Sequence, residues 1–266
     1  MKEIDELLGI MQCLRDPKSG CPWDRQQTIA SILPFTLEEV YELVDAIDRG
    51  DVEDVREELG DLLFHIAFYA QMANEAGHFD FRSVTEKLNK KLRRRHPHVF
   101  ADTTGTAEEQ TIAWEHIKEQ ERRERGVADA AETGLLAGIS RALPAVLRAH
   151  KLQTRAAGVG FDWEDTEAVL DKVEEELNEL RQEINSGISS ERIMDELGDL
   201  MFACVNFARH ARIDPELALR GANRKFEHRF RYMEAQLARQ NRTLTEASLA
   251  QMEVLWREAK AVPDEA

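Results

Sequence analysis

Cysteine is nearly absent: Cys13, Cys21 and Cys204 are the only three in 266 residues. They show no CxxC spacing and cannot all pair, which excludes a disulfide framework and a zinc cluster. Fourteen glycines and seven prolines are too few for a collagenous or low-complexity chain. No run approaches the roughly 18 apolar residues of a membrane span. Met1 opens into a charged amphipathic segment without the apolar core of a signal peptide. A soluble cytoplasmic protein with no membrane contact is expected. Positive charge is also scarce, 35 Lys and Arg against 51 Asp and Glu, for a net charge of −16. Such a chain does not bind nucleic acid by neutralising phosphates. Its acid side chains suit divalent cations, and anions only through them.

What is present is helical periodicity, with no convincing strand alternation. Ile4, Leu7, Leu8, Met11 and Leu14 share a helix face that ends at Pro17 and Gly20. Thr36 with Glu39 resembles a capping box, which predicts a helix start there and an end at Gly50. Further helices are predicted over about 51–75, 81–95 and 107–125. The stretch 119–134 loses its apolar face and holds two glycines. The predicted organisation is therefore a first domain 1–125, a linker 126–134 and a second domain 135–266.

The second half repeats the first. Leu37-Glu-Glu-Val-Tyr-Glu-Leu43 matches Glu174-Glu-Glu-Leu-Asn-Glu-Leu180 at an offset of 137. Glu58-Leu-Gly-Asp-Leu-Leu-Phe64 matches Glu196-Leu-Gly-Asp-Leu-Met-Phe202 at 138. Asn89-Lys-Lys91 matches Asn223-Arg-Lys225 at 134, and Trp114 with Lys118 matches Trp256 with Lys260 at 142. Four matches in one order predict an all-α pair of tandem helical domains from an internal duplication.

Each half carries Glu-Glu-x-x-Glu and, about twenty residues later, Glu-x-x-Asp. In the second half Glu176 and Glu179 lie one helical turn apart, as do Glu196 and Asp199. A polar turn at 185–190 predicts an antiparallel hairpin whose acid pairs face one groove. Converging carboxylates raise one another's pKa values unless a cation lies between them. Oxygen-only ligands suit Mg²⁺, or Mn²⁺, rather than zinc or copper. A di-iron bundle uses Glu-x-x-His on two helices, whereas the one instance here, Glu75–His78, is broken by Gly77.

Gly20-Cys-Pro-Trp-Asp24, the repeated acidic pattern, Arg94-Arg-His-Pro-His-Val-Phe100 and Val159-Gly-Phe-Asp-Trp163 together resemble the MazG family of nucleoside triphosphate pyrophosphohydrolases. The resemblance runs from Ile4 to Lys260. It implies paired four-helix units that form a homodimer, and Mg²⁺-dependent hydrolysis of NTPs and dNTPs to the monophosphate and pyrophosphate. It also implies that the carboxy-terminal domain does the catalysis.

The residues favour the same half. Lys172 and Arg192 stand where the first half has Phe35 and Asp54, and each change suits a triphosphate. Glu176, Glu179, Glu196 and Asp199 are the expected metal ligands, and Glu175 is the candidate for orienting or deprotonating the attacking water. Lys172, Arg192, Lys225 and Arg229 would offset phosphate charge, and Asn223 would bond sugar or phosphate. Trp256 is the candidate base platform, and Phe161 with Trp163 could cover the site. Glu38, Glu39, Glu42, Glu58 and Asp61 form a possible second site. Cys13 and Cys21 are read as buried small residues, and His65 and His210 as satisfying local hydrogen bonds. A non-catalytic Mg–nucleotide sensor and a structural helical dimer module are the alternative readings.

Overall fold

The computed structural model describes residues 2–100, 134–187 and 189–262. Among them every regular element is a helix. The chain divides into two compact units, Met1–Glu121 and Arg122–Ala266. The predicted helix over 107–125, residues 126–133 of the predicted linker, Trp114 and Lys118 lie outside the described residues.

The first unit holds α1 (Lys2–Leu14), α2 (Pro22–Gln26), α3 (Ile29–Arg49), α4 (Val52–Glu75), α5 (Phe81–Arg95) and α6 (Pro97–Phe100). Helices α3 and α4 form a hairpin, with α1 packed on α4. Gly50 takes φ +71° to end α3. Asp51 then caps α4 by accepting from the N–H groups of Glu53 and Asp54. Met11, Ile32, Ala67, Phe68 and Met72 form the core.

The start of α3 differs from the expectation. The cap is Thr28, whose side chain exchanges hydrogen bonds with Ser31, so the helix begins eight residues before Thr36 and passes through Pro34. Pro34 has no N–H to give, yet the helix runs through it. The Thr36 hydroxyl is used differently: it lies 3.2 Å from the Ile32 carbonyl and 2.7 Å from both His65 Nδ1 and Tyr69 Oη. Cys13 is also not buried; it is exposed, and Cys21 is half-buried. The apolar face of α1 turns inward through Met11, and two residues on, Cys13 has rotated away from it.

The second unit holds α7 (Ala145–Ala157), α8 (Thr166–Ser186), α9 (Ser190–His210), α10 (Pro215–Ala238) and α11 (Leu249–Ala259), with a 3₁₀ turn at Leu244–Glu246. Helices α8 and α9 form the hairpin predicted from the turn at 185–190. Gly187 at φ +64° ends α8 and Ser189 caps α9. Helix α7 packs on α9 and α10, and α10 pairs with α11. Among the described residues no helix is long and apolar enough to cross a membrane.

Candidate functional site

Each hairpin brings three of its four expected acids together. Carboxylate oxygens of Glu176, Glu196 and Asp199 lie within 4.8 Å of one another, and so do those of Glu39, Glu58 and Asp61 in the first unit. Glu179 and Glu42 stand outside these groups of three but close enough to act on them. Glu196 has its pKa raised by burial and then by the charges of Glu179, Asp199 and Glu176. Glu39 and Glu58 are raised in the same way, by burial first, then chiefly by Asp61 and by Glu42 respectively. Glu38 adds a smaller charge to Glu39.

Glu176 is the buried member, 7% exposed. Lys172 Nζ lies 2.9 Å from Glu176 Oε1 and 2.9 Å from Glu175 Oε1. These bonds, to Glu176 first, raise the Lys172 pKa. Glu176 Oε2 is buried with no hydrogen-bond partner. An unpaired carboxylate oxygen is costly in a protein interior, and a cation shared with Glu196 and Asp199 would satisfy it. The donor set therefore fits a hard divalent ion.

A cavity of about 210 Å³ opens beside this group, lined by Lys172, Glu176 and Asp199 and by apolar side chains of α7, α8 and α9. Phe161 and Trp163 line it too. The loop that carries them is anchored by Asp162. Its carboxylate accepts from Arg209 Nη1 at 2.9 Å, from Arg209 Nη2, and from His210 Nε2 at 2.8 Å. The Arg209 bonds, chiefly, hold the Asp162 pKa down at about 2. His210 thus finds a local partner, as does His65, whose pKa is lowered by burial.

The remaining predicted residues lie elsewhere. Arg192 pairs with Glu183 at 2.7 Å near the hairpin turn. The first unit also has an ion pair beside its hairpin turn, Arg49 with Asp54 at 2.8 Å, although the Glu183 position corresponds to Ala46 at the 137 offset. Asn223 and Lys225 are exposed on α10. Arg229 stacks over the Trp256 ring at 5.4 Å, and Phe226 meets the same ring at 5.3 Å. Trp256 is half-buried between α10 and α11 and is not among the residues lining the cavity. Sequence reasoning missed Asp162 and Arg209 as anchors of the loop. It also missed Gln153 and Asn206, two buried amides that line the cavity.

The two units differ in the side chains at this cavity. At the 138 offset, His65 and Phe68 of the first unit, 5% and 0% exposed, correspond to Ala203 and Asn206. The first unit places a buried imidazole and a buried phenyl ring here, and the second has a methyl and a carboxamide that line the cavity.

Two helical hairpins, each with three carboxylates close enough to share an ion, define an all-α protein with two candidate metal centres among the described residues. Residues 27–100 and 164–233 match the MazG nucleotide pyrophosphohydrolase domain. The chain is 49% identical to the nucleoside triphosphate pyrophosphohydrolase of Escherichia coli K12 over 98% of both chains. It is 42% identical to the nucleoside triphosphate pyrophosphohydrolase/pyrophosphatase MazG of Thermotoga maritima over 97% of this chain and 95% of that one. This chain belongs to the MazG family.

Proposed function

We propose that this chain is a divalent-metal-dependent hydrolase that converts NTPs and dNTPs to the monophosphate and pyrophosphate, with catalysis in the second unit. The observation that carries the reading is the buried, unpartnered Oε2 of Glu176 within the acid group that borders the cavity.

Glu176, Glu196 and Asp199, with Glu179 beside them, would hold the ion, for which Mg²⁺ is the first choice and Mn²⁺ the second. When bound, such an ion neutralises phosphate oxygens and lowers the pKa of water. Glu175 and Lys172 then divide the remaining work. Lys172 exchanges its carboxylate partners for a phosphate oxygen, and Glu175, released from that pair, orients and deprotonates the attacking water. Asn223, Lys225, Arg229 and the indole N–H of Trp256 offer donors from α10 and α11 to the outer phosphates. Arg192 contributes positive potential from the hairpin turn while it braces Glu183. The first unit keeps the acid set without a lysine at the Phe35 position, and in this reading it is non-catalytic.

A homodimer belongs to the same proposal. Leu170, Leu177 and Ile184 recur every seven residues on α8, and Met194, Leu197 and Met201 continue the stripe on α9. All six are exposed, from 36% to 66%. An amphipathic hairpin with such a stripe suits pairing with a second copy.

Chromatography of the products decides the reaction. AMP and pyrophosphate from ATP, lost in EDTA, are expected. ADP with orthophosphate as primary products would refute it.

A further inference from the structure

We infer that Gln153 is a specificity-determining residue that reads the edge of the nucleobase inside the second-unit cavity. The inference rests on the nucleotide-hydrolase reading above and adds to it where the base binds and what recognises it. Gln153 lies on α7, is 7% exposed and lines the cavity. Its Nε2 donates to the Phe202 carbonyl at 2.8 Å, which fixes the orientation of the amide. Its Oε1 is then the remaining polar group, and it is buried without a partner. An interior acceptor left unsatisfied is uncommon and calls for a donor.

The surroundings narrow what that donor belongs to. Asn206, 4% exposed, lines the same cavity. Its Oδ1 accepts from Arg209 Nε at 3.0 Å and Nη2 at 2.8 Å. That engagement leaves the amide nitrogen as the group Asn206 can offer. A fixed acceptor and an available donor among apolar and aromatic walls suit a flat heterocycle that carries an N–H beside a ring acceptor. The volume, about 210 Å³, is below the ~300–1,000 Å³ of sites that enclose a drug-sized ligand. It fits a base rather than a whole nucleotide. Glu176 and Asp199 at the border put the phosphate chemistry next to it. The first unit has the bulkier buried His65 and Phe68 at the positions that correspond to Ala203 and Asn206.

The test is a binding titration that needs no turnover. AMP and purine riboside monophosphate, which lacks the amine, are titrated against the full-length chain by tryptophan fluorescence. Trp163→Phe serves to localise the signal. The wild type should bind AMP roughly 10-fold more tightly than the amine-free analogue. In Gln153→Met that preference should fall below about twofold, while inhibition of hydrolysis by tripolyphosphate is unchanged. A second variant, Ala203→His with Asn206→Phe, introduces the bulkier first-unit residues at these positions. It should lose AMP binding and keep tripolyphosphate inhibition. A preference retained in folded Gln153→Met, or AMP binding retained in the filled variant, would overturn the inference. Failure of the wild type to release pyrophosphate from ATP would overturn the parent reading instead, and the titrations would still judge the cavity.

Discussion

Replacing Asp162 by Asn tests whether the loop over the cavity is held by charge. The folded protein binds the ionised carboxylate of Asp162 strongly enough to move its pKa from 3.8 to about 2, mainly through Arg209. Asn resembles the protonated, neutral form, so the substitution removes the difference between the two forms. At 1.36 kcal/mol per pKa unit, that difference is about 2 kcal/mol. The Asp162 side chain is 26% exposed and Arg209 14%, so solvent screening leaves most of it in place. A carboxyl with a depressed folded pKa contributes its full stability above its unfolded value. It loses that stability as pH falls toward the folded value. Urea unfolding followed by circular dichroism at pH 6 should therefore show Asp162→Asn about 2 kcal/mol less stable than wild type. The gap should shrink to about half by pH 3 and nearly close at pH 2. A gap that does not narrow on acidification would mean that Asn disturbs packing rather than removing a charge. No gap at pH 6 would mean that the ion pair contributes nothing to the fold.

Because burial and neighbouring charges raise Glu196, its ionised form opposes folding at neutral pH. Glu196→Gln should melt above wild type in EDTA and below it in saturating Mg²⁺; a variant that melts lower in both would contradict the mutual repulsion. For division of labour, Glu39→Ala with Asp61→Ala should keep most turnover, while Glu176→Ala with Asp199→Ala should abolish it, as read by pyrophosphate release. The opposite result would move catalysis to the first unit. Trp256→Ala should raise KM for every NTP and weaken tripolyphosphate inhibition together, by roughly 10-fold for one bond to a charged group. A loss confined to nucleotides would instead put the base against the indole.

Much of this was readable from spacing. The Glu-x-x-Glu and Glu-x-x-Asp intervals place carboxylates on helix faces, and the turn at 185–190 sets the hairpin that makes them converge. The start of α3 was not readable, because Thr36 with Glu39 imitates a capping box. Only the tertiary partners His65 and Tyr69 show why Thr36 sits inside a helix. Arg192 looked like a phosphate ligand because its first-half counterpart is acidic. Its ion pair with Glu183 depends on which side chains meet across the turn, and no offset reveals that. The hollow was half readable: the repeat aligns His65 with Ala203 and Phe68 with Asn206, a loss of bulk visible in the sequence. Gln153 gave no signal, since one amide on an amphipathic helix looks like any surface polar residue until burial is known.

The hollow in the second unit also bears on how long the protein survives. Unfilled space lined by apolar groups costs stability, ~24 cal/mol for each Å³ when the space is sealed, and repelling carboxylates beside it add to the deficit. A ligand that fills the one and neutralises the other acts as a missing piece of the core. Anything that binds the native state alone stabilises it in proportion to the logarithm of its concentration over its dissociation constant. Resistance to proteases would then follow the supply of metal-bound nucleotide, so that the substrate pool tunes the lifetime of the chain that consumes it.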